Sequence, residues 1–279
     1  MTAIYDLHSH STASDGALSP EDLILRAKEK GVTCLALTDH DTVAGLSAAQ
    51  EAAKKVDLQL INGIEFSCTW NKKTFHIVGL NINPNNPELL AGTKKLHTIR
   101  TERAKKISKK LEKNNIVGAY EKIIPTVPSG MITRSHFAHF LLEGNHTSNL
   151  QQAFDLYLGQ GKSAFVGTEW ASLEDTLHWI HAAGGVAVLA HPMRYKMTAS
   201  WMRRFLTAFK AEGGLGIEVI TGRPNPDETR RALHFATQFE LYASMGSDFH
   251  SPKNKWIELG RLSPPPQNIK LIWELFPQQ

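Results

Sequence analysis

Val32-Thr33-Cys34-Leu35-Ala36-Leu37-Thr38-Asp39-His40 reads as a buried strand over 32–37 that ends in polar side chains. Upstream, Ser19-Pro20-Glu21-Asp22 opens a helix. Ser19 caps it, Pro20 suits its first position and Asp22 stands three residues after the cap. Gly31 stops that helix, and before it a short strand over 3–7 enters His8. Downstream, a helix over 42–55 leads to strands over 58–61, 64–68 and 75–80. Repeated strand–helix–strand units predict a parallel sheet or barrel.

From 87 to 161 the pattern changes. A polar helix over 88–114 carries many Lys and Arg, and shorter helical pieces follow near 135–142 and 150–158. From 164 onward alternation resumes, with helices over 173–183, 199–211 and 227–239 and strands over 186–190, 216–220 and 242–246. The expectation is a discontinuous α/β barrel domain, 1–86 and 162–279, carrying an inserted helical subdomain, 87–161.

Bulk properties narrow the setting more than the function. The chain has 279 residues, 42% hydrophobic and 21% charged, with no low-complexity tract. No apolar run approaches the roughly 20 residues that span a bilayer. Residues 1–6 lack the basic start and apolar run of a signal peptide. Cys34 and Cys68 sit in apolar stretches and read as buried free thiols, which predicts a reducing, cytoplasmic location. A net charge of +4 is compatible with anionic substrates but does not identify one.

The chemistry gathers where strands end. Asp6-Leu7-His8-Ser9-His10 follows the first strand, with Asp15 shortly after, and Thr38-Asp39-His40-Asp41 follows the second. Gly63-Ile64-Glu65-Phe66-Ser67 comes next, then His76, Ala190-His191-Pro192 and Gly246-Ser247-Asp248-Phe249-His250. His-x-His on a strand puts both imidazoles on one face, because side chains repeat with period two. Each motif alone is ordinary; their recurrence at barrel strand ends, where active sites form, is the signal. Six histidines and three carboxylates suffice for a three-metal site, and a set without cysteine suits manganese, iron or zinc better than a structural thiolate zinc. Three divalent ions against the charges of Asp15, Glu65 and Asp248 leave a positive excess that favours an anionic substrate. Metal-assisted phosphate-ester hydrolysis has that requirement.

In order and over most of the chain, these motifs resemble the set of the PHP (polymerase and histidinol phosphatase) family. The resemblance implies a distorted (β/α)7 barrel with two to three divalent ions, manganese first and iron or zinc as alternatives. It implies that His8, His10, Glu65 and Asp248 hold one metal, and that Glu65 bridges to a second completed by His76 and His191. Asp15, His40 and His250 would hold the third; some branches carry His where this chain has Asp15. Segments 133–138, 184–192 and 213–219 are similar to the branch of 3′,5′-nucleoside bisphosphate phosphatases and 5′-to-3′ exoribonucleases of short RNA. The expected activity is release of a 3′-phosphate, or removal of nucleotides from short 5′-phosphorylated RNA, by attack of a metal-bridging hydroxide. No membrane and no obligate protein partner is expected.

Arg134 is the first candidate for holding a substrate phosphate, since its planar fork matches phosphate oxygens. His136 is a candidate for substrate contact and proton donation to the leaving group, and Arg194 for a second phosphate. Asp41 reads as a helix cap and Asp39 as an orienter of a ligand histidine. The basic helix, with Arg100 and Arg103 among its cations, reads as a solvated face rather than an RNA surface. Three rivals remain. Histidinol-phosphate phosphatase shares the site and differs in the pocket; an amidohydrolase would not account for Gly246-Ser247-Asp248-Phe249-His250; a non-catalytic metal-binding module would be expected to have lost ligands.

Overall fold

A computed structural model describes residues 3–223 and 225–276, so the outermost residues of the two expected barrel segments lie outside the described ones. The strands are β1 (Tyr5–Asp6), β2 (Cys34–Leu37), β3 (Gln59–Trp70), β4 (Lys73–Leu80), β5 (Ala171–Ser172), β6 (Val186–Leu189), β7 (Gly216–Thr221) and β8 (Tyr242–Gly246). They pair in the order β1-β2-β3-β4-β6-β7-β8, with β5 added on β3. Leu7 N donates to Met245 O at 3.0 Å, and Ser9 bridges Phe249, so the last strand returns to the first. The sheet is a nearly closed seven-stranded barrel, as the α/β barrel expectation required.

One strand corrects the all-parallel reading. β4 runs antiparallel to both β3 and β6. The reversal is made by a two-residue turn at Asn71 and Lys72, whose φ values of 45° and 62° match the right-handed twist of the flanking strands. The strands expected at 58–61 and 64–68 are also one continuous strand, β3. Gly63 does not break it; a Cβ there would stand 2.7 Å from Thr38 Cγ2, so glycine permits close packing of β2 on β3.

Helices α1 (Pro20–Glu29) and α2 (Leu46–Val56) cover β1 to β3. Ser19 accepts from Asp22 N at 3.0 Å, as its cap position predicts. α2 begins four residues later than expected, because Asp41 turns back to β3 instead of capping. After β4 come α3 (Pro87–Glu112), α4 (Ala119–Ile123), α5 (Arg134–Glu143) and α6 (Leu150–Ala153). α7 (Leu173–Ala182), α8 (Ala199–Ala211) and α9 (Pro226–Gln238) then alternate with the remaining strands.

Alternation along each strand divides the apolar residues. Cys34, Ala36, Val78, Leu80, Val188 and Ala190 fill the barrel lumen together with Leu7 and Ile272, while Leu35, Leu37, Ile77 and Leu189 pack outward against the helices. The 271–276 segment closes the far end: Leu271 bridges Ala243, Ile272 is fully buried and Trp273 stacks on Tyr5 at 4.1 Å. α3 spans two cores. Leu89 and Leu96 join the barrel's core, whereas Ala104, Ile107 and Leu111 join a second one with Phe137, Leu141 and Leu158.

Candidate metal centre

The nine residues expected to ligate metal converge at the open end of the barrel. The parallel strands deliver most of them just past their C-termini, β3 delivers Glu65 from its middle, and the reversed β4 delivers His76 from its N-terminal half. Glu65, fully buried, is the hub. Its Oε1 lies 3.0 Å from both His76 Nδ1 and His191 Nε2 and 3.4 Å from His8 Nε2. Its Oε2 lies 2.8 Å from His40 Nδ1 and 3.4 Å from His10 Nε2. Asp248 Oδ1 stands 3.4, 3.2 and 3.6 Å from His8, His10 and His250. Asp15 Oδ1 stands 3.9 Å from His40 and 3.4 Å from His250.

These residues fit divalent ions on geometry and on satisfaction. Three groups, His10-Asp15-His40-His250, His8-His10-Glu65 and His40-Glu65-His76, each hold ligand atoms within 4.8 Å of one another. Asp15 Oδ1 is buried without a hydrogen-bond partner, and His40 Nδ1 and Glu65 Oε2, 2.8 Å apart, lack hydrogen-bond geometry to each other or to any other group. Leaving such atoms unpaired costs about 1–3 kcal/mol each, which bound cations relieve. Burial opposes charge on Glu65, yet the surrounding imidazoles hold its carboxyl well below the usual range. Burial and the neighbouring His250 push His10 down to about 3, so it is neutral and has a lone pair to offer. Asp41, His191 and Asp248 all adopt left-handed backbone, with φ of 54°, 30° and 54°, a strain that clusters at functional sites.

Several supporting residues were not legible beforehand. Glu218 on β7 accepts from His8 Nδ1 at 2.6 Å and from His191 N at 2.6 Å, turning His8 Nε2 toward the centre. Its one sequence signal is a carboxylate alone in the apolar stretch Gly216-Ile217-Glu218-Val219-Ile220. Asp39 does not contact a ligand histidine. It accepts from Ser11 N, Ser11 Oγ and Ser14 Oγ at 2.8, 2.6 and 2.6 Å, fixing the loop that carries Asp15. Asp41 accepts from Ser67 N and Arg100 Nε, each at 2.6 Å.

The α3 cations also depart from expectation. Arg100 and Arg103 are 3% and 9% exposed, not solvated, and both guanidiniums lie over Trp170, at 5.0 and 5.2 Å. With Arg134, Phe154 and Phe165 they line an open pocket of about 660 Å³ whose inner edge is Asp15, His40 and His76. Burial and neighbouring guanidiniums lower Arg103 to about 9. Neither Arg103 nor Arg134 has a carboxylate partner among the described residues.

His136 stands outside that pocket. Its Nδ1 accepts from Thr133 N at 2.9 Å, closing a capping box, and the ring lines a separate outer hollow with Lys122 and Phe140. Burial lowers the pKa of its imidazole while Asp15 and the Ser14 backbone oppose that, so the ring also neighbours the loop that carries Asp15, and a residue at the third helical position serves the cap as well. Arg194 ion-pairs with Asp248 through Nη1 at the edge of the centre.

The family model described as PHP domain matches residues 6–170. A 5′-3′ exoribonuclease of Haemophilus influenzae is 46% identical over 276 residues, covering 99% of this chain and 100% of its own. A 3′,5′-nucleoside bisphosphate phosphatase of Chromobacterium violaceum is 41% identical, covering 96% and 94%. A solved structure described as an amidohydrolase from Chromobacterium violaceum, with bound sulfate and no metal, superposes with a TM-score of 0.92 at 41% identity, over 98% and 95% of the two chains. Matched over more than half its length and nearly end to end by such relatives, the chain belongs to the PHP domain family.

Proposed function

We propose that the chain is a metal-dependent phosphoesterase that hydrolyses the P–O3′ bond of a nucleotide carrying a 5′-phosphate. Two activities then reduce to one reaction. Water adds to phosphorus, the P–O3′ bond breaks and O3′ takes a proton. With a bare 3′-phosphate the products are a nucleoside 5′-monophosphate and phosphate. With RNA they are the same monophosphate and a shortened chain, which again begins with a 5′-phosphate and is again a substrate. That regeneration yields 5′-to-3′ progress.

The observation that carries this reading is the adjacency of two sites: a centre of six imidazoles and three carboxylates, and a pocket with two unpaired guanidiniums. His8, His10, Asp15, His40, Glu65, His76, His191, Asp248 and His250 would hold two to three ions, manganese first given donors of nitrogen and oxygen only. When bound, the ions lower the pKa of water and neutralise charge developing on phosphoryl oxygens. Arg103 and Arg134 bind the substrate's 5′-phosphate, and Trp170 with Phe165 contacts its nucleoside. Arg194 holds Asp248 in place and faces the scissile phosphate. Glu218 keeps His8 in one orientation. A substrate with an ammonium group, such as histidinol phosphate, is disfavoured by the same guanidiniums. The two buried unpaired thiols suit a reducing, cytoplasmic setting.

The test is release of phosphate and nucleotides from adenosine 3′,5′-bisphosphate, a short 5′-phosphorylated RNA and histidinol phosphate by manganese-loaded protein. Turnover of the first two, with Arg134→Ala raising KM about tenfold or more, is expected. Turnover of histidinol phosphate alone would overturn the substrate assignment.

A further inference from the structure

The pocket holding Arg103 and Arg134 lies on the β2–β4 side of the metal centre, and the other rim is also built. A hollow of about 360 Å³ opens beside His191, lined by Arg194, Arg223 and Asn225 among others, where β6 and β7 end. Beside Arg223, which lines that hollow, stands Trp256, 66% exposed. Exposed apolar side chains are common singly, so exposure alone decides nothing. What distinguishes this indole is its mounting. Arg223 lies over its ring at 4.9 Å. Its backbone N donates to Asn254 Oδ1 at 3.1 Å, and Arg261 donates to the neighbouring Lys255 O at 2.9 Å. Side chains of Arg194 and Ile257 and the carbonyl of Ser247 crowd Gly222. The Trp256 loop is thereby held against the segment that bears Asp248.

The charge around the ring is mainly positive, with Glu228 on the far wall of the hollow. Lys253, Lys255 and Arg261 share its loop and Arg223 faces it. The loop's one carboxylate, Glu258, is occupied by Arg26 through contacts of 3.0 and 2.6 Å. An exposed aromatic among cations that have no carboxylate partner among the described residues suits a base and its phosphates; an apolar protein surface would find no match for the cations.

We propose that Trp256, backed by Arg223, is the stacking platform for the nucleotide attached to the far side of the scissile phosphate. The inference rests on the phosphoesterase reading and extends it to RNA. A nucleoside bisphosphate ends at the scissile phosphate and has nothing to place there, whereas an RNA chain must leave the centre along this rim. The Arg223–Trp256 rim therefore separates oligonucleotide from mononucleotide affinity.

The experiment compares wild type, Trp256→Ala, Trp256→Phe and Arg223→Ala, all manganese-loaded. Affinity is read by anisotropy of a fluorescent, phosphorothioate-linked, 5′-phosphorylated pentaribonucleotide, and turnover on adenosine 3′,5′-bisphosphate is measured in parallel. Trp256→Ala is expected to weaken RNA binding about tenfold, with Trp256→Phe restoring most of it. The bisphosphate KM should change less than twofold. Unchanged RNA affinity in Trp256→Ala overturns the proposal, as does an equal loss on both substrates, which would make Trp256 a structural prop. A wild-type protein that turns over no phosphoester overturns the phosphoesterase reading instead, and the anisotropy series still decides the role of Trp256.

Discussion

Glu218 shows how one residue sets the behaviour of another. It fixes His8 from behind, through the ring nitrogen that faces away from the centre. Glu218→Gln keeps the shape but removes the charge, so manganese affinity is expected to fall about 10- to 100-fold, read by calorimetric titration with the fold intact by circular dichroism. Gly246 acts through space rather than charge. A Cβ there would sit 2.3 Å from His8 Cβ and 2.7 Å from His8 N, with backbone on one side that cannot swing away. Gly246→Ala is therefore expected to lower stability by about 2 kcal/mol or more in denaturant melts and to strip metal from the purified protein. Most of the nine converging residues were legible because they sit in short polar motifs where an apolar strand stops, and Glu65 and His76, inside their strands, were legible only through their family motif. Glu218 was not, since a lone carboxylate within a strand has no motif around it. Arg100 and Arg103 were hidden for another reason: among so many cations on one helix, spacing alone does not show which turn inward. His136 carries two readings, because its helix-start position explains it as well as chemistry does.

Elements carry a second kind of information. α3 was read correctly as one long helix, but its sequence did not reveal that its two halves serve different cores. Leu96 packs with the barrel's core and Leu111 with that of α5 and its neighbours. Leu96→Ala and Leu111→Ala should each cost about 2–5 kcal/mol. Because one continuous helix joins the cores, urea melts of both variants followed by far-ultraviolet dichroism are expected to show a single shifted transition. Two separated transitions would show that the cores unfold independently. β4 illustrates the limit of pattern reading. Apolar alternation is the same whichever way a strand runs, and its turn, Asn71-Lys72, lacks the glycine that usually announces a hairpin. The reversal matters to the centre, since it puts His76 at the open end although it lies early in its strand.

At the scale of the whole molecule, the ions belong to the stability of the fold as well as to its chemistry. Buried imidazoles and carboxylates crowd together where they lack partners, and cations that bind only the folded barrel stabilise it by mass action. At about a hundredfold excess over the dissociation constant that is about 2.7 kcal/mol, so chelation should lower the melting temperature by about 5–10 °C. Scanning fluorimetry with and without chelator measures it; an unchanged Tm would show that the centre is held open by protein contacts alone. No helix among the described residues is long and apolar enough to cross a membrane. The barrel's closure has a further consequence. β1 meets β8 across a wide gap in the chain: Ser247 N donates to Asp6 Oδ1 over a separation of 241 residues. During translation at about 5–20 residues per second, the first histidines wait roughly 10–50 s before their partners on the last strand exist. A nascent chain thus displays His8 and His10 before the barrel closes around them, and the ligand group that includes His250 is completed only after β8 emerges.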